Sequence, residues 1–165
     1  MESFDFLSEI GIDPIILNQY QILCLPENIG DRSKEIDLAD SGESIILSKL
    51  LKEEGVKCAN SYDIGLTSKV IERRGLSDIW LGYIWIRDHA IFPILISVVS
   101  RLLADKVSKQ LKALQGSEES KETKVHATLK VLDGKTSAEV VYVGDADTFL
   151  KVLKGINDDQ SSSTK

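Results

Sequence analysis

The sequence predicts an α/β to α+β domain: a mixed sheet of about five strands flanked by helices, with a C-terminal β-hairpin–helix lobe. Three observations lead to this class. A strand–helix–strand order in the first third fits a crossover between parallel strands. The segment Asp78–Ile86 is apolar on both faces, as in a central strand. The dipeptide Asp133-Gly134 lies between two alternating segments and predicts a hairpin turn.

Composition fits a protein that folds on a hydrophobic core. The chain has 165 residues, of which 42% are hydrophobic, so it can bury a core without disulfides or structural metals. Cys24 and Cys58 each lie in an apolar run, and we expect both to be buried, reduced thiols. The net charge of −6 argues against nucleic acid as a partner, because that needs a basic patch.

The termini and apolar runs indicate a cytoplasmic protein. The first five residues, Met1 to Asp5, are acidic where a signal peptide is basic. The longest apolar run without a charge, Ala90–Ser100, falls short of the roughly 20 residues that a membrane span needs. We therefore expect no membrane contact.

The first 40 residues contain one convincing strand. Phe4–Ile10 has weak helical spacing, whereas Tyr20–Leu25 is typical of a strand that Pro26 ends. The polar stretch Glu27–Asp40 has no period and is predicted to be an exposed loop.

A capped helix and a second strand follow. Ser41 can cap the helix, Gly55 can end it, and Val56–Tyr62 is predicted to be the next strand. The helix places four apolar residues on one face: Ile46, Leu47, Leu50 and Leu51.

The middle of the chain predicts a short helix, the central strand and a long helix. Leu66–Arg74 fits a helix closed by Gly75, and Phe92–Leu114 fits a helix with Pro93 in its first turn. The first half of that long helix is apolar nearly all round and should be buried, while its second half should project. In the central strand, strict alternation places Ile79, Leu81, Tyr83 and Trp85 on one face and Trp80, Ile84 and Ile86 on the other.

The hairpin after the hydrophilic segment 116–124 has one apolar face. If Asp133-Gly134 forms the two-residue turn, three apolar pairs result: Leu129 with Ala138, Ala127 with Val140, and Val125 with Tyr142. The other face is polar and includes His126, but Val141 interrupts it opposite that histidine.

The last predicted element is a helix that Asp145 can cap. Its apolar side comprises Phe149, Val152, Leu153 and Ile156. Asn157–Lys165 is expected to be a disordered tail. The predicted organisation is therefore a core over 1–115, a linker over 116–124, the hairpin–helix lobe over 125–156 and a tail over 157–165.

No residue pattern identifies a reaction or a cofactor. Asp88 and His89 could act as a general base and its carboxylate in a small enzyme, but adjacent residues between a strand and a helix are usually capping groups. His126 is predicted to face solvent. The two histidines and two cysteines are unrelated by spacing, so we expect no metal site, no cofactor and no enzymatic activity.

The acidic stretch before the capped helix permits an alternative function. Its carboxylates could mask the basic site of a toxin, as in an immunity or antitoxin-like inhibitor. They are Asp31, Glu35, Asp37 and Asp40.

The favoured interpretation is a protein-binding adaptor or accessory subunit. Large aromatic and aliphatic side chains are the anchors that centre protein interfaces. The candidate partner-binding residues are Trp80, Trp85, Phe92, Leu95, Val99 and Leu103. The partner would be another protein or a second copy of the chain.

The layout of the second half resembles that of the small effector-associated component proteins of bacterial conflict systems. The resemblance rests on the apolar helix Ile91–Leu114, the hairpin Val125–Val143 around Asp133-Gly134-Lys135, and the capped helix Asp145–Ile156. It implies a non-enzymatic adaptor that works with a larger effector or sensor in anti-phage defence. No motif within it carries functional residues over to this chain.

Overall fold

The computed structural model describes residues 13–29, 38–71, 78–113, 124–133 and 136–163. The strands are β1 (Ile22–Leu25), β2 (Leu38–Ser41), β3 (Cys58–Asn60), β4 (Ser68–Ile71), β5 (Ile79–Ile86), β6 (Lys124–Asp133) and β7 (Thr136–Asp145). The helices are α1 (Pro14–Leu17), α2 (Gly42–Glu53), α3 (Phe92–Ala113) and α4 (Ala146–Ser163), and a 3-10 turn, His89–Ile91, precedes α3.

Five strands form one mixed sheet in the order β3-β1-β5-β6-β7, and β2 pairs with β4 in a separate two-stranded sheet. The β1–β3 and β5–β6 pairs are parallel, whereas the β1–β5 and β6–β7 pairs are antiparallel. The predicted fold class is confirmed, including the terminal hairpin–helix. The hairpin belongs to the main sheet, because β6 pairs with β5.

The first half of α3 lies in the main core, in contact with the other two long helices. Its buried side chains pack with those of α2, α4 and one face of the sheet. Burial of each such side chain contributes about 1.5–3 kcal/mol. The α3 residues in this core are Phe92, Leu95, Val98, Val99, Leu102 and Leu103.

The opposite face of the sheet has a smaller core over β1 and β5. Leu23, Leu25, Tyr83 and Trp85 pack there with side chains from connecting segments, among them Ile29. This second cluster contains no residue of β6 or β7 among the described residues.

The predicted start and end of α2 are confirmed. The Ser41 hydroxyl accepts a hydrogen bond from the Ser44 amide at 3.1 Å, and Gly55 follows the helix with a φ of +85°. The buried side of the helix includes Leu47 and Leu51, whereas Ile46 is exposed.

Two predictions on either side of α2 were wrong. Residues 38–40, assigned to an exposed loop, belong to strand β2 (Leu38–Ser41), and Ser68–Ile71, assigned to a helix, is strand β4. The two strands pair in parallel from Leu38 opposite Ser68 to Ser41 opposite Ile71. Backbone pairing between distant segments overrides the short helical spacing that the sequence showed.

The central strand β5 contains a bulge that changes its faces. Its register against β6 shifts between Trp80 and Gly82, where φ of Gly82 is +77°. The predicted strict alternation was therefore wrong beyond this point. Tyr83 and Trp85 belong to the smaller core, and the main core receives Ile79, Leu81, Ile84 and Ile86.

The hairpin register differs from the predicted one by two residues. Leu129 pairs with Val140, Ala127 with Tyr142 and Val125 with Gly144, and His126 lies opposite Val143 instead of Val141. The predicted apolar face is retained, because a slip of two residues leaves every side chain on its own side.

The C-terminal helix is capped as predicted but is longer. The Asp145 carboxylate accepts a hydrogen bond from the Thr148 amide at 2.9 Å, and Phe149 and Leu153 are fully buried. The helix continues to Ser163, so the prediction of disorder from Asn157 was wrong up to that residue. The predicted elements at Phe4–Ile10 and 116–123 lie outside the described residues.

Candidate protein interface

The anchors predicted for a partner surface lie mostly inside the protein. Trp85, Phe92, Leu95, Val99 and Leu103 are all buried. They stabilise the folded chain and are inaccessible to a partner. Trp80, the sixth candidate, is only partly buried.

Asp88 and His89 do not form a hydrogen-bonded pair. The Asp88 carboxylate accepts hydrogen bonds from the Gln21 side chain at 2.9 Å and from the Ala90 amide at 3.0 Å. These two bonds hold the pKa of Asp88 below its ordinary value. Both ring nitrogens of His89 are buried without a hydrogen-bond partner, and the ring packs against Phe92. Asp88 therefore acts as a capping group of the 3-10 turn.

One of the four acidic residues proposed to contact a toxin is buried. Asp40 is only 5% exposed, and its two carboxylate oxygens accept hydrogen bonds from the hydroxyls of Ser61 and Ser68. It joins the β2–β4 sheet to the segment after β3 and cannot contact a toxin. The other three carboxylates, Asp31, Glu35 and Asp37, lie outside the described residues.

The outer face of the hairpin is the most exposed apolar surface on the described sheet. Val141 is 72% exposed and Val143 is 58% exposed, and both lie on β7. Their neighbours in the chain, Val140 and Tyr142, pack against the main core on the other side. Alternation along β7 therefore directs Val141 and Val143 away from the helices.

An aromatic stack adjoins these valines. Trp80 and His126 are register partners on β5 and β6, and their rings stack with centroids 3.7 Å apart and planes 6° apart. Nε2 of His126 lies 2.8 Å from a carboxylate oxygen of Asp78, which fixes the ring. Burial alone would raise the pKa of Asp78, but hydrogen bonds from His126 and the Lys124 amide lower it overall.

The two valines, Trp80 and His126 help to line a shallow groove of about 200 Å³. We call this surface the hairpin face. It is lined by Glu27, Trp80, Gly82, His126, Ala127, Thr128, Val141, Tyr142 and Val143.

No family model, curated protein or solved structure matches this chain.

A cation–π contact between Lys130 and Trp85 lies beside the hairpin face. The ammonium group of Lys130 lies 4.9 Å from the centre of the Trp85 ring, a cation–π contact. Burial raises the pKa of the neighbouring Tyr83, and the charge of Glu139 adds to that effect. The buried aromatic residues Tyr83 and Trp85 thus lie beside the polar residues of β6.

The described residues contain no group of three histidine, cysteine or acidic side chains that could hold a metal ion. Cys24 and Cys58 are free, buried thiols whose sulfur atoms lie 3.8 Å apart. No helix in the described ranges is both long and apolar enough to cross a membrane.

Sequence reasoning missed the Trp80, His126 and Asp78 cluster. Trp80 and His126 are more than forty positions apart in the chain, and only the parallel pairing of β5 with β6 brings their rings together. The one usable signal was Val141, an apolar residue on an otherwise polar strand face.

Proposed function

We propose that this protein is a non-enzymatic protein-binding module, an adaptor or accessory subunit, and that it contacts its partner through the hairpin face. The observation that carries the proposal is the exposure of Val141 and Val143, at 72% and 58%, in a groove that Trp80 and His126 also line. Exposed apolar side chains grouped beside aromatic rings are typical of protein contact sites.

The chemistry of the hairpin face favours a protein over a small charged ligand. The Trp80–His126 stack and the two valines offer apolar area, and the Asp78–His126 pair supplies a polar rim. Interfaces combine an apolar centre with such a rim. The stack is held by β5 and β6 in the middle of the sheet, so it loses little conformational freedom on binding.

The resemblance in layout to effector-associated proteins suggests the class of partner. A larger effector or sensor of a bacterial anti-phage system would use this chain as its accessory subunit. In that role the buried helix α3 serves as scaffold, and the hairpin presents the contact surface.

The test compares capture of proteins from a native extract by the wild-type chain and by two variants. Val141→Lys places a charge in the hairpin face, whereas Val70→Lys makes the same change on β4, where the valine is 56% exposed. A stoichiometric partner should bind the wild type and Val70→Lys but should not bind Val141→Lys. A partner captured equally by all three proteins would refute the assignment of this surface.

A further inference from the structure

The two edges of the main sheet differ in a way that bears on partner choice. At one edge, β3 has three residues. At the other, β7 has ten residues, all paired with β6 in one continuous register. No strand in the described part of the chain pairs with the outer side of β7.

Among the described residues, the β7 edge lacks most of the features that protect natural sheet edges. Such edges are usually short, bulged, or interrupted by proline or lysine. The strand Thr136–Asp145 contains no proline and no basic residue, its register shows no bulge, and its only charges are Glu139 and Asp145. Its outward N–H and C=O groups can therefore pair with another extended strand along its length.

We propose that β7 pairs with β7 of a second copy in antiparallel orientation, forming one ten-stranded sheet across a two-fold axis. This inference goes beyond the proposed function, because it concerns the backbone edge of β7 and a second copy of the chain, whereas the proposed function concerns the hairpin face and a different partner. A two-fold axis perpendicular to the sheet keeps the helices of both copies on the same side. Residues on the outer face of one copy therefore lie opposite residues on the outer face of the other copy.

Charge excludes two registers of this pairing, and the exposure of Val141 favours one of those that remain. Glu139 opposite its own mate, or opposite Asp145 of the second copy, would place like charges directly across the strand pair, which is destabilising. Centring the pair on Val141 avoids both contacts. It places the most exposed apolar residue of β7 against itself and places Val143 opposite Glu139 of the second copy.

The proposed dimer is held mainly by one strand pair and is concentration-dependent. A single strand pair buries less than the roughly 1,200 Å² of stable interfaces, so the two copies separate on dilution. The association should be measured by sedimentation velocity over a range of protein concentrations, with the wild-type chain.

Two lysine variants test the surface. Val141→Lys should raise the dissociation constant by roughly threefold to tenfold, because the Val141–Val141 contact is lost and two like charges then face each other in the strand pair. The matched change Val70→Lys should leave it at the wild-type value. A wild-type chain that stays monomeric at every concentration would overturn the proposal, as would a dimer that Val141→Lys does not weaken.

Two cysteine variants test the register. Residue 141 lies opposite itself with Cβ atoms about 4.5–5.5 Å apart, so Val141→Cys should cross-link the two copies. Oxidised glutathione takes up the two electrons and two protons that the thiols lose. Residue 143 and its mate lie four positions apart, roughly 14 Å, so Val143→Cys should cross-link little. Equal cross-linking of the two variants on a non-reducing gel refutes the register centred on Val141.

The outcomes separate this inference from the proposed function. A monomeric wild type whose captured partner is lost with Val141→Lys would reject the self-pairing and retain the binding module. A dimer with the expected cross-link, together with a partner that Val141→Lys still captures, would reject the binding role of the hairpin face and retain the self-pairing.

Discussion

Replacement of Gly82 by alanine should destabilise the protein strongly. Gly82 has a φ of +77° in the bulge of β5, and a non-glycine residue there costs about 1–2 kcal/mol. A Cβ atom at this position would lie 2.9 Å from the carbonyl oxygen of Leu25 and 3.3 Å from the hydroxyl of Ser44. Leu25 is a fully buried residue of the adjacent strand, so relieving the contact adds about 1–3 kcal/mol of overpacking.

The two contributions together predict a loss of about 2–5 kcal/mol in the free energy of unfolding, a large share of the 5–15 kcal/mol typical of a domain. Denaturation by urea, followed by tryptophan fluorescence and by circular dichroism, measures this loss. Coincident transitions from the two probes would establish two-state behaviour before the free energies are compared.

Gly155→Ala is the matched control. Gly155 lies within α4, and a Cβ atom there meets nothing within 4 Å. The same substitution should therefore stabilise the protein by about 0.5–1 kcal/mol, because alanine loses less conformational entropy in a helix than glycine does. A Gly82→Ala protein within about 0.5 kcal/mol of the wild type would refute the assignment of strain to the bulge.

Three further outcomes are expected. Phe149→Ala should cost about 3–5 kcal/mol in urea denaturation, since this residue of α4 is fully buried in the main core; a loss below 1 kcal/mol would contradict its core role. The folded pKa of Asp78 is lowered, so its contribution to stability is present above the unfolded pKa of about 3.9 and is lost as pH falls through the folded value. The urea midpoint should therefore fall less between neutral and acid pH in Asp78→Asn than in the wild type. An equal fall in the two proteins would contradict this. Cys24 and Cys58 lie two residues out of direct register on neighbouring strands, which separates their Cα atoms by roughly 8 Å, beyond the span of a disulfide. Their mutual hydrogen bond and burial raise the pKa of Cys24, so both thiols should still titrate in denaturant after incubation with oxidised glutathione; loss of the two thiols would show the opposite.

Local patterns in the sequence predicted the fold class but only part of the pairing. The hairpin, the caps at Ser41 and Asp145, and the central place of β5 each follow from turn chemistry or from apolar period. The hairpin register does not, because a period of two determines which side a residue faces and leaves slips of two residues open.

The errors arose where tertiary contacts override local preference. β2 and β4 are short segments that become strands by pairing with each other, and the buried Asp40 carboxylate joins them to the rest of the chain. The glycine in β5 was the available sign of a bulge, since glycine inside a strand often marks one. Strict alternation without the bulge places Trp80 and Trp85 on opposite faces of β5, whereas in the structure they lie on the same face.

The candidate interface was harder to foresee than the fold. Val141 could be recognised from the sequence as an apolar residue on a polar strand face. His126, in contrast, was predicted only to face solvent. Its stacking on Trp80 and its bond to Asp78 depend on the parallel pairing of β5 with β6. The large apolar residues chosen as anchors were instead needed to fill the core of this small protein.

The unequal edges of the sheet limit how far the protein can assemble. A strand added to β7 finds a ten-residue template, whereas the opposite edge offers only the three residues of β3. Growth of a fibre requires that each added molecule present a fresh edge as good as the one it occupies. The described main sheet has one such edge, so the proposed self-pairing would end at a closed pair, whereas a sheet with two long edges could continue to polymerise.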